Sequence, residues 1–480
     1  RKAGNERDGC LECALGALGT RAGRHGRETI SYRDLGVEQL GSVYERVLDL
    51  DPTHPTHPAH PAWPTHLTHP AHPTRPVHPT HRAHPTHPAR SAAGVVNRRA
   101  TGHSARRKAT GTFYTPQVLA DFVVRRTLAP LVAGASADAI LGLRVVDPAM
   151  GSGACLVAAC RFLADAYERA LVEEGRCSEH DLDESTRALH RRVVSERCMA
   201  GVDSNPTAVE VAQLALWLTS LARGRPLGFL DHRLRTGNSL VGATPEEIGL
   251  IGGRSGRGRP PSLPLLDAAG LDQLVARIAV PMGELVSRHD ETVDDVKAKE
   301  SLWRQIRGAS SPLEPWRLAS SLWCARWFWP DDAGIDPPSS VELRAAIDGL
   351  RRGDVTIDRR RLDAWADVAR RVGREQMFFH WPLEFPDIFY GGDGPPLVSP
   401  RFDAVIGNPP WEMLRQDRDQ SEETPGARRQ VVDFVRKSGL YPEAGRGHVN
   451  LYLPFLERAL SIVKPGGRIG LVLPWGFASD

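Results

Sequence analysis

Long apolar runs are missing from this 480-residue chain: no stretch of about 18 uncharged apolar residues occurs, which excludes a membrane-spanning helix. Lysine is scarce too, at 6 of 61 basic residues, a bias that GC-rich coding is enough to produce. Against 58 acidic residues the net charge is only +3, which neither demands nor excludes a nucleic-acid partner. No basic-then-apolar-then-small pattern follows Arg1, so a secretory leader is not expected, and the absent Met points to a fragment. Cysteines are few and odd in number; seven in so long a chain read as reduced thiols of a cytoplasmic protein. Cys10 and Cys13 make a lone Cys-x-x-C, and a zinc site needs about four ligands, so no metal site is assigned. The length corresponds to about three structural units with a large buried core.

Residues 51–90 stand apart. They hold 10 of the 18 His and 11 of the 38 Pro, in a Thr-His-Pro/Ala-His-Pro unit of nearly three residues. Proline at every third position fixes φ and removes donors, which leaves polyproline II or disorder. Clustered imidazoles can bind divalent ions, but composition favours a repeat-expanded, solvated linker. Ahead of the tract, Leu40, Val43, Tyr44, Val47 and Leu48 recur at helical spacing within Tyr32–Leu50. The organisation expected is therefore an N-terminal helical segment (1–50) and a His/Pro-rich linker (51–108). Strand-and-helix text follows (109–249), then an Arg- and Trp-rich helical insertion (250–377), then strand text again (378–480). The tryptophans of the insertion, among them Trp303, Trp316, Trp323, Trp327 and Trp329, are expected to pack rather than to recognise a ligand.

Four segments carry chemistry. An apolar run, Leu143–Val146, ends in Asp147 and is followed by Gly151-Ser-Gly153 and an amphipathic helix from Ala154. Strand, Gly-rich turn and helix N-terminus form a ligand-binding bend at the carboxyl end of a parallel strand. The bend lacks the third glycine of a dinucleotide fingerprint and the Lys-Ser/Thr of a phosphate loop. A second apolar run, Met199–Val202, ends in Asp203, which is placed either to accept two ribose hydroxyls or to cap the helix whose first turn holds Pro206; the two roles are compatible. A third strand, in Leu234–Leu240, brings Asn238 to the same edge. The fourth, Phe402–Ile406, runs into Gly407-Asn408-Pro409-Pro410-Trp411. Each proline biases its predecessor toward extended backbone, so Asn408 is rigidly presented. The Asn408 side-chain oxygen and the Pro409 carbonyl can accept two hydrogen bonds from one planar NH2, and Trp411 offers a stacking surface.

The ordered set Gly111–Pro116 (GTFYTP), VVDPAMGSG, GVDSNP, TGNSL, FDAVIGNPPW and ERALSIVKPGGRIGLVLP resembles the S-adenosylmethionine-dependent N6-adenine DNA methyltransferases. It looks most like the restriction–modification and phage-exclusion methylases in which the cofactor motifs precede the catalytic one. His380–Phe389 and the Tyr32–Leu50 text are also similar to that group, and the resemblance covers about residues 30–50, 109–250 and 378–480. It implies a Rossmann-like, doubly wound class I methyltransferase sheet, S-adenosylmethionine as cofactor, and double-stranded DNA with a flipped adenine as partner. Restriction or defence-system subunits are implied as further partners. Tyr114, Thr115 and Pro116 would close over the methionine end of the cofactor. Asp147, Ala149, Gly151 and Gly153 would shape its pocket, Asp203 would hold the ribose, and Asn238, where many relatives carry Asp, would lie beside the adenine. Asn408, Pro409, Pro410 and Trp411 would hold the target base. Methylation of RNA adenine or of protein glutamine, which also present a planar NH2, and a truncated chain that only binds cofactor remain as alternatives.

Overall fold

The computed structural model describes residues 20–23, 26–29, 115–222, 224–244, 247–248, 278, 280–354, 356–390, 401–411, 425–445 and 450–478. The His-Pro tract, the helix expected over Tyr32–Leu50, Cys10, Cys13, Tyr114 and the opening of the insertion lie outside them. Near the N-terminus, β1 (Thr20–Gly23) and β2 (Gly26–Thr29) pair antiparallel, Thr20 opposite Thr29.

The main sheet has five parallel strands: β3 (Val145–Asp147), β4 (Met199–Asp203), β5 (Leu234–Thr236), β6 (Phe402–Gly407) and β7 (Val463–Leu471). Their order is β5-β4-β3-β6-β7. The chain therefore builds outward from β3 in one direction, then returns to the other side of β3 with β6. The gap between the carboxyl ends of β3 and β6 is the switch point where parallel α/β sheets bind ligands.

Strands buried on both faces read as continuous apolar text, and here successive side chains enter two different cores. Val145, Met199, Ala404 and Ile406 face one core, while Val146, Ala200, Val202, Phe402 and Val405 face the other. Phe402 and Val405 share a face despite their odd spacing because the β6–β7 register shifts between Phe402 and Ala404. The first core is covered by α1 (Gln117–Val132), α2 (Ala137–Leu141), α3 (Ala154–Glu173), α4 (Glu184–Cys198) and α5 (Pro206–Thr219).

Between β5 and β6 lie a helix through 280–287, then α6 (Val293–Arg307), α7 (Glu314–Ala325), α8 (Ser340–Arg352), α9 (Arg359–Glu375) and two short helices, α10 (Trp381–Glu384) and α11 (Pro386–Tyr390). Helices α6 and α8 begin with reciprocal capping boxes, Thr292 with Asp295 and Ser339 with Glu342. After β6 come α12 (Pro425–Lys437) and α13 (Tyr452–Ile462). Helices α7, α8, α9 and α12 share one apolar core with Leu240, Val241 and Phe455. Trp303, Trp316 and Trp323 are buried and Trp327 and Trp329 partly so, which makes them packing residues. Phe379, Trp381 and Phe385 cover the second face of the sheet together with Ala459 and Ile462 of α13. Among the described residues no helix is long and apolar enough to cross a membrane, and no group of three or more His, Cys, Asp or Glu is placed to hold a metal.

Candidate active site

Three loops meet at the carboxyl edge of β3, β4 and β6. After β3, Gly151 (φ 51°) and Gly153 (φ 85°) take left-handed backbone, which an L side chain adopts only at a cost. Gly153 is the residue that caps α3, and a β-carbon on it would lie 3.1 Å from Cβ of Ala212 on α5. A β-carbon on Gly151 would meet nothing within 4 Å, so this turn borders open space. The third constrained glycine, Gly407 at the end of β6 (φ 152°), lies against Asp147: a β-carbon there would stand 2.5 Å from Asp147 Oδ1. That contact brings the Gly-rich loop and the Asn408 loop to one edge.

Asp147 is 1% exposed and accepts a hydrogen bond from the Ala149 N–H at 3.0 Å. Burial pushes its carboxyl pKa up to about 8; the Ala149 N–H opposes this and the nearby Asp203 charge adds to it. Asp203 is raised in the same direction by burial, against hydrogen bonds from the Asn205 and Gly151 N–H groups. Those bonds, at 2.8 and 2.9 Å, tie the β4 loop to the Gly-rich loop. Helix α5 is capped by Asn205, whose side chain accepts from the Thr207 N–H at 3.0 Å, and Pro206 occupies its first turn. Asp203 is thus a loop clasp and not the cap of α5. An ionised carboxylate has about four acceptor positions, so both oxygens keep capacity for further donors.

The β5 loop is locked to its neighbours. Ser239 donates to the Pro148 carbonyl at 2.6 Å, and its own carbonyl accepts from the Trp381 indole at 3.1 Å. The Asn238 N–H donates to the Met377 carbonyl at 2.7 Å, with Met377 held at φ 52°. Asn238 Oδ1 accepts from the Leu240 N–H at 3.1 Å. His380 Nδ1 accepts from the Ala243 N–H at 3.1 Å, so Nε2 carries the proton and donates to Ser321 of α7 at 3.1 Å. Burial pushes the His380 pKa down to about 4, and this imidazole is neutral.

At the end of β6, Asn408 donates through Nδ2 to Thr115 Oγ1 at 3.3 Å, while its Oδ1 is buried without a partner. Pro409 is buried and Pro410 half-buried. The Trp411 indole N–H bonds the Val472 carbonyl at 3.1 Å, and the Val472 N–H bonds the Gly407 carbonyl at 2.9 Å. This fixes the edge of the ring while the side chain stays 45% exposed. Sequence reasoning named Thr115 but missed its contact with Asn408; the signal was a threonine before the proline that opens α1. Pro116 stands at that helix head, and Tyr114 lies outside the described residues.

A family model described as Eco57I restriction-modification methylase matches residues 197–479, more than half of the chain, and one described as N-6 DNA Methylase matches residues 101–222. A protein of Methanocaldococcus jannaschii named as a putative type II restriction enzyme and methyltransferase is 26% identical over 438 residues, covering 78% of this chain and 32% of that protein. The chain spans about a third of the length of this relative. With its parallel α/β sheet, its strand-end carboxylates and its Asn-Pro-Pro-Trp loop, the chain belongs to the Eco57I restriction-modification methylase family.

Proposed function

We propose that this chain transfers a methyl group from S-adenosylmethionine to N6 of adenine in DNA. The observation that carries the proposal is the buried, unpartnered Asn408 Oδ1 beside the Gly-rich loop. A buried acceptor without a donor costs about 1–3 kcal/mol, and a substrate NH2 would relieve that cost. The open space at Gly151 and the two carboxylates facing the same edge fit the cofactor. Asp147, protonated at neutral pH in the free protein, would give up its proton and receive the cofactor's ammonium; Asp203 would hold its ribose hydroxyls, and the Asn238 NH2 would meet an acceptor nitrogen of its adenine ring.

When bound, S-adenosylmethionine supplies a methyl group on a sulfonium, which leaves as a neutral thioether sulfur. The adenine N6 lone pair is delocalised into the ring and is a poor nucleophile. Asn408 Oδ1 and the Pro409 carbonyl, accepting its two N–H bonds from outside the ring plane, draw N6 toward tetrahedral geometry and localise that pair. Positioning and electrostatics then provide the catalysis, with no covalent enzyme intermediate. As the N–C bond forms, one N6 proton is released to solvent. The base is reached only by flipping from the duplex, at a few kcal/mol, and stacking on Trp411 returns about 1–3 kcal/mol. The name of the Methanocaldococcus relative couples restriction to methylation, which supports a restriction activity as partner to this one.

The test is Asn408→Ala, assayed for methyl transfer to DNA and, by calorimetry with S-adenosylhomocysteine, for cofactor affinity. Transfer is expected to vanish with cofactor affinity retained within about threefold, because the lost contact is made to the substrate amine. Turnover close to that of the unaltered protein would remove Asn408 from the reaction.

A further inference from the structure

Thr115 and Asn408 are 293 positions apart, yet a hydrogen bond joins the Thr115 hydroxyl to the nitrogen of the Asn408 amide. An asparagine side chain presents an acceptor at one corner and a donor at the other, and a half-turn about its last bond exchanges them at little steric cost. Only one of the two orientations serves an amine substrate. With Nδ2 bonded to Thr115 Oγ1 at 3.3 Å, the oxygen is the atom left buried and unpartnered. Thr115 is itself held in place. It is 7% exposed and precedes Pro116, which restricts it to extended backbone. The Pro116 carbonyl accepts from Leu119 and Ala120 at 2.9 and 3.0 Å, anchoring the head of α1, and α1 packs along β6 and β7. The hydroxyl is therefore carried to Asn408 by the same layer that supports the catalytic strand.

The geometry points to Thr115 as a positioning residue for Asn408: its hydroxyl anchors the amide on its Nδ2 side and leaves Oδ1 as the acceptor for the amine of the incoming base. This deepens the adenine-methylating function proposed above and rests on it. It gives Thr115 a role toward the acceptor amide beside the cofactor contact expected from sequence. Valine has nearly the same shape without the hydroxyl, and serine keeps the hydroxyl without the methyl.

The test compares Thr115→Val and Thr115→Ser in the full chain. Thr115→Val is expected to slow methyl transfer at saturating substrate about ten- to hundredfold, the scale of one misplaced polar contact in a transition state. Its affinity for S-adenosylhomocysteine and its flipping of 2-aminopurine are expected to stay within about twofold, and Thr115→Ser is expected to recover transfer to within about threefold. The chain has six Asn, so selective 15N-asparagine labelling gives a second readout that needs no activity. The Asn408 side-chain NH2 signal, assigned with Asn408→Asp, should move in Thr115→Val and return in Thr115→Ser. An unmoved NH2 signal, unchanged transfer in Thr115→Val, or a loss of cofactor affinity as large as the loss of transfer would each overturn the assignment. If the unaltered protein does not methylate adenine, the proposed function fails, and the NMR comparison still decides whether Thr115 orients the amide.

Discussion

Replacing Asp147 with Asn should make the free protein more stable while removing its response to cofactor. The carboxyl is buried with a pKa of about 8, against an ordinary 3.8. Between those values the folded state keeps a proton that the unfolded state has released, so stability falls as pH rises through this window. Each pH unit costs about 1.4 kcal/mol, which gives about 4 kcal/mol at pH 7. The substituted amide would still accept the Ala149 N–H bond now made at 3.0 Å, and it never ionises. Thermal unfolding of Asp147→Asn and the unaltered protein, followed from pH 4.5 to pH 8.5, is therefore expected to show curves that lie close together at the acid end. They should separate by roughly 8–16 °C near pH 7, given about 2–4 °C per kcal/mol for an ordered core of this size. The S-adenosylhomocysteine-induced rise in melting temperature should appear in the unaltered protein and not in Asp147→Asn. A difference between the two proteins that does not change with pH would refute the reasoning, because it would mean that the carboxyl carries no raised pKa.

Two further outcomes follow from neighbouring groups. Trp411→Ala removes the half-exposed ring and should reduce 2-aminopurine flipping about tenfold with cofactor affinity unchanged; undiminished fluorescence on DNA binding would refute the stacking role. His380 has its pKa lowered to about 4, so it contributes stability above pH 6.5 that is lost as pH falls toward 4. His380→Gln should flatten the acid limb of the stability curve between those values, and an unchanged limb would show that this imidazole is not the group titrating there.

Much of the sheet was legible because a parallel strand buried on both faces reads as uninterrupted apolar text. Val145–Asp147, Met199–Asp203 and Phe402–Gly407 end within a residue of where the sequence places them, and α3 begins at the expected Ala154. β7 runs from Val463 to Leu471 through Pro465, Gly466 and Gly467, which interrupt the apolar text that marks the other strands. Of the two roles open to Asp203, capping went to Asn205, two residues on. No local pattern separates these, since both residue types cap helices well. The Thr115–Asn408 bond and the Pro148–Ser239–Trp381 chain join residues distant in sequence, and only the packing of the layers brings them together.

The most direct measurement is the identity of the modified nucleoside. Duplex DNA incubated with the protein and S-adenosylmethionine is digested and analysed by mass spectrometry. N6-methyldeoxyadenosine is expected in the unaltered sample and absent with Asn408→Ala; methylcytosine, or adenine methylation that survives the substitution, would contradict a transfer governed by the Asn408 acceptor.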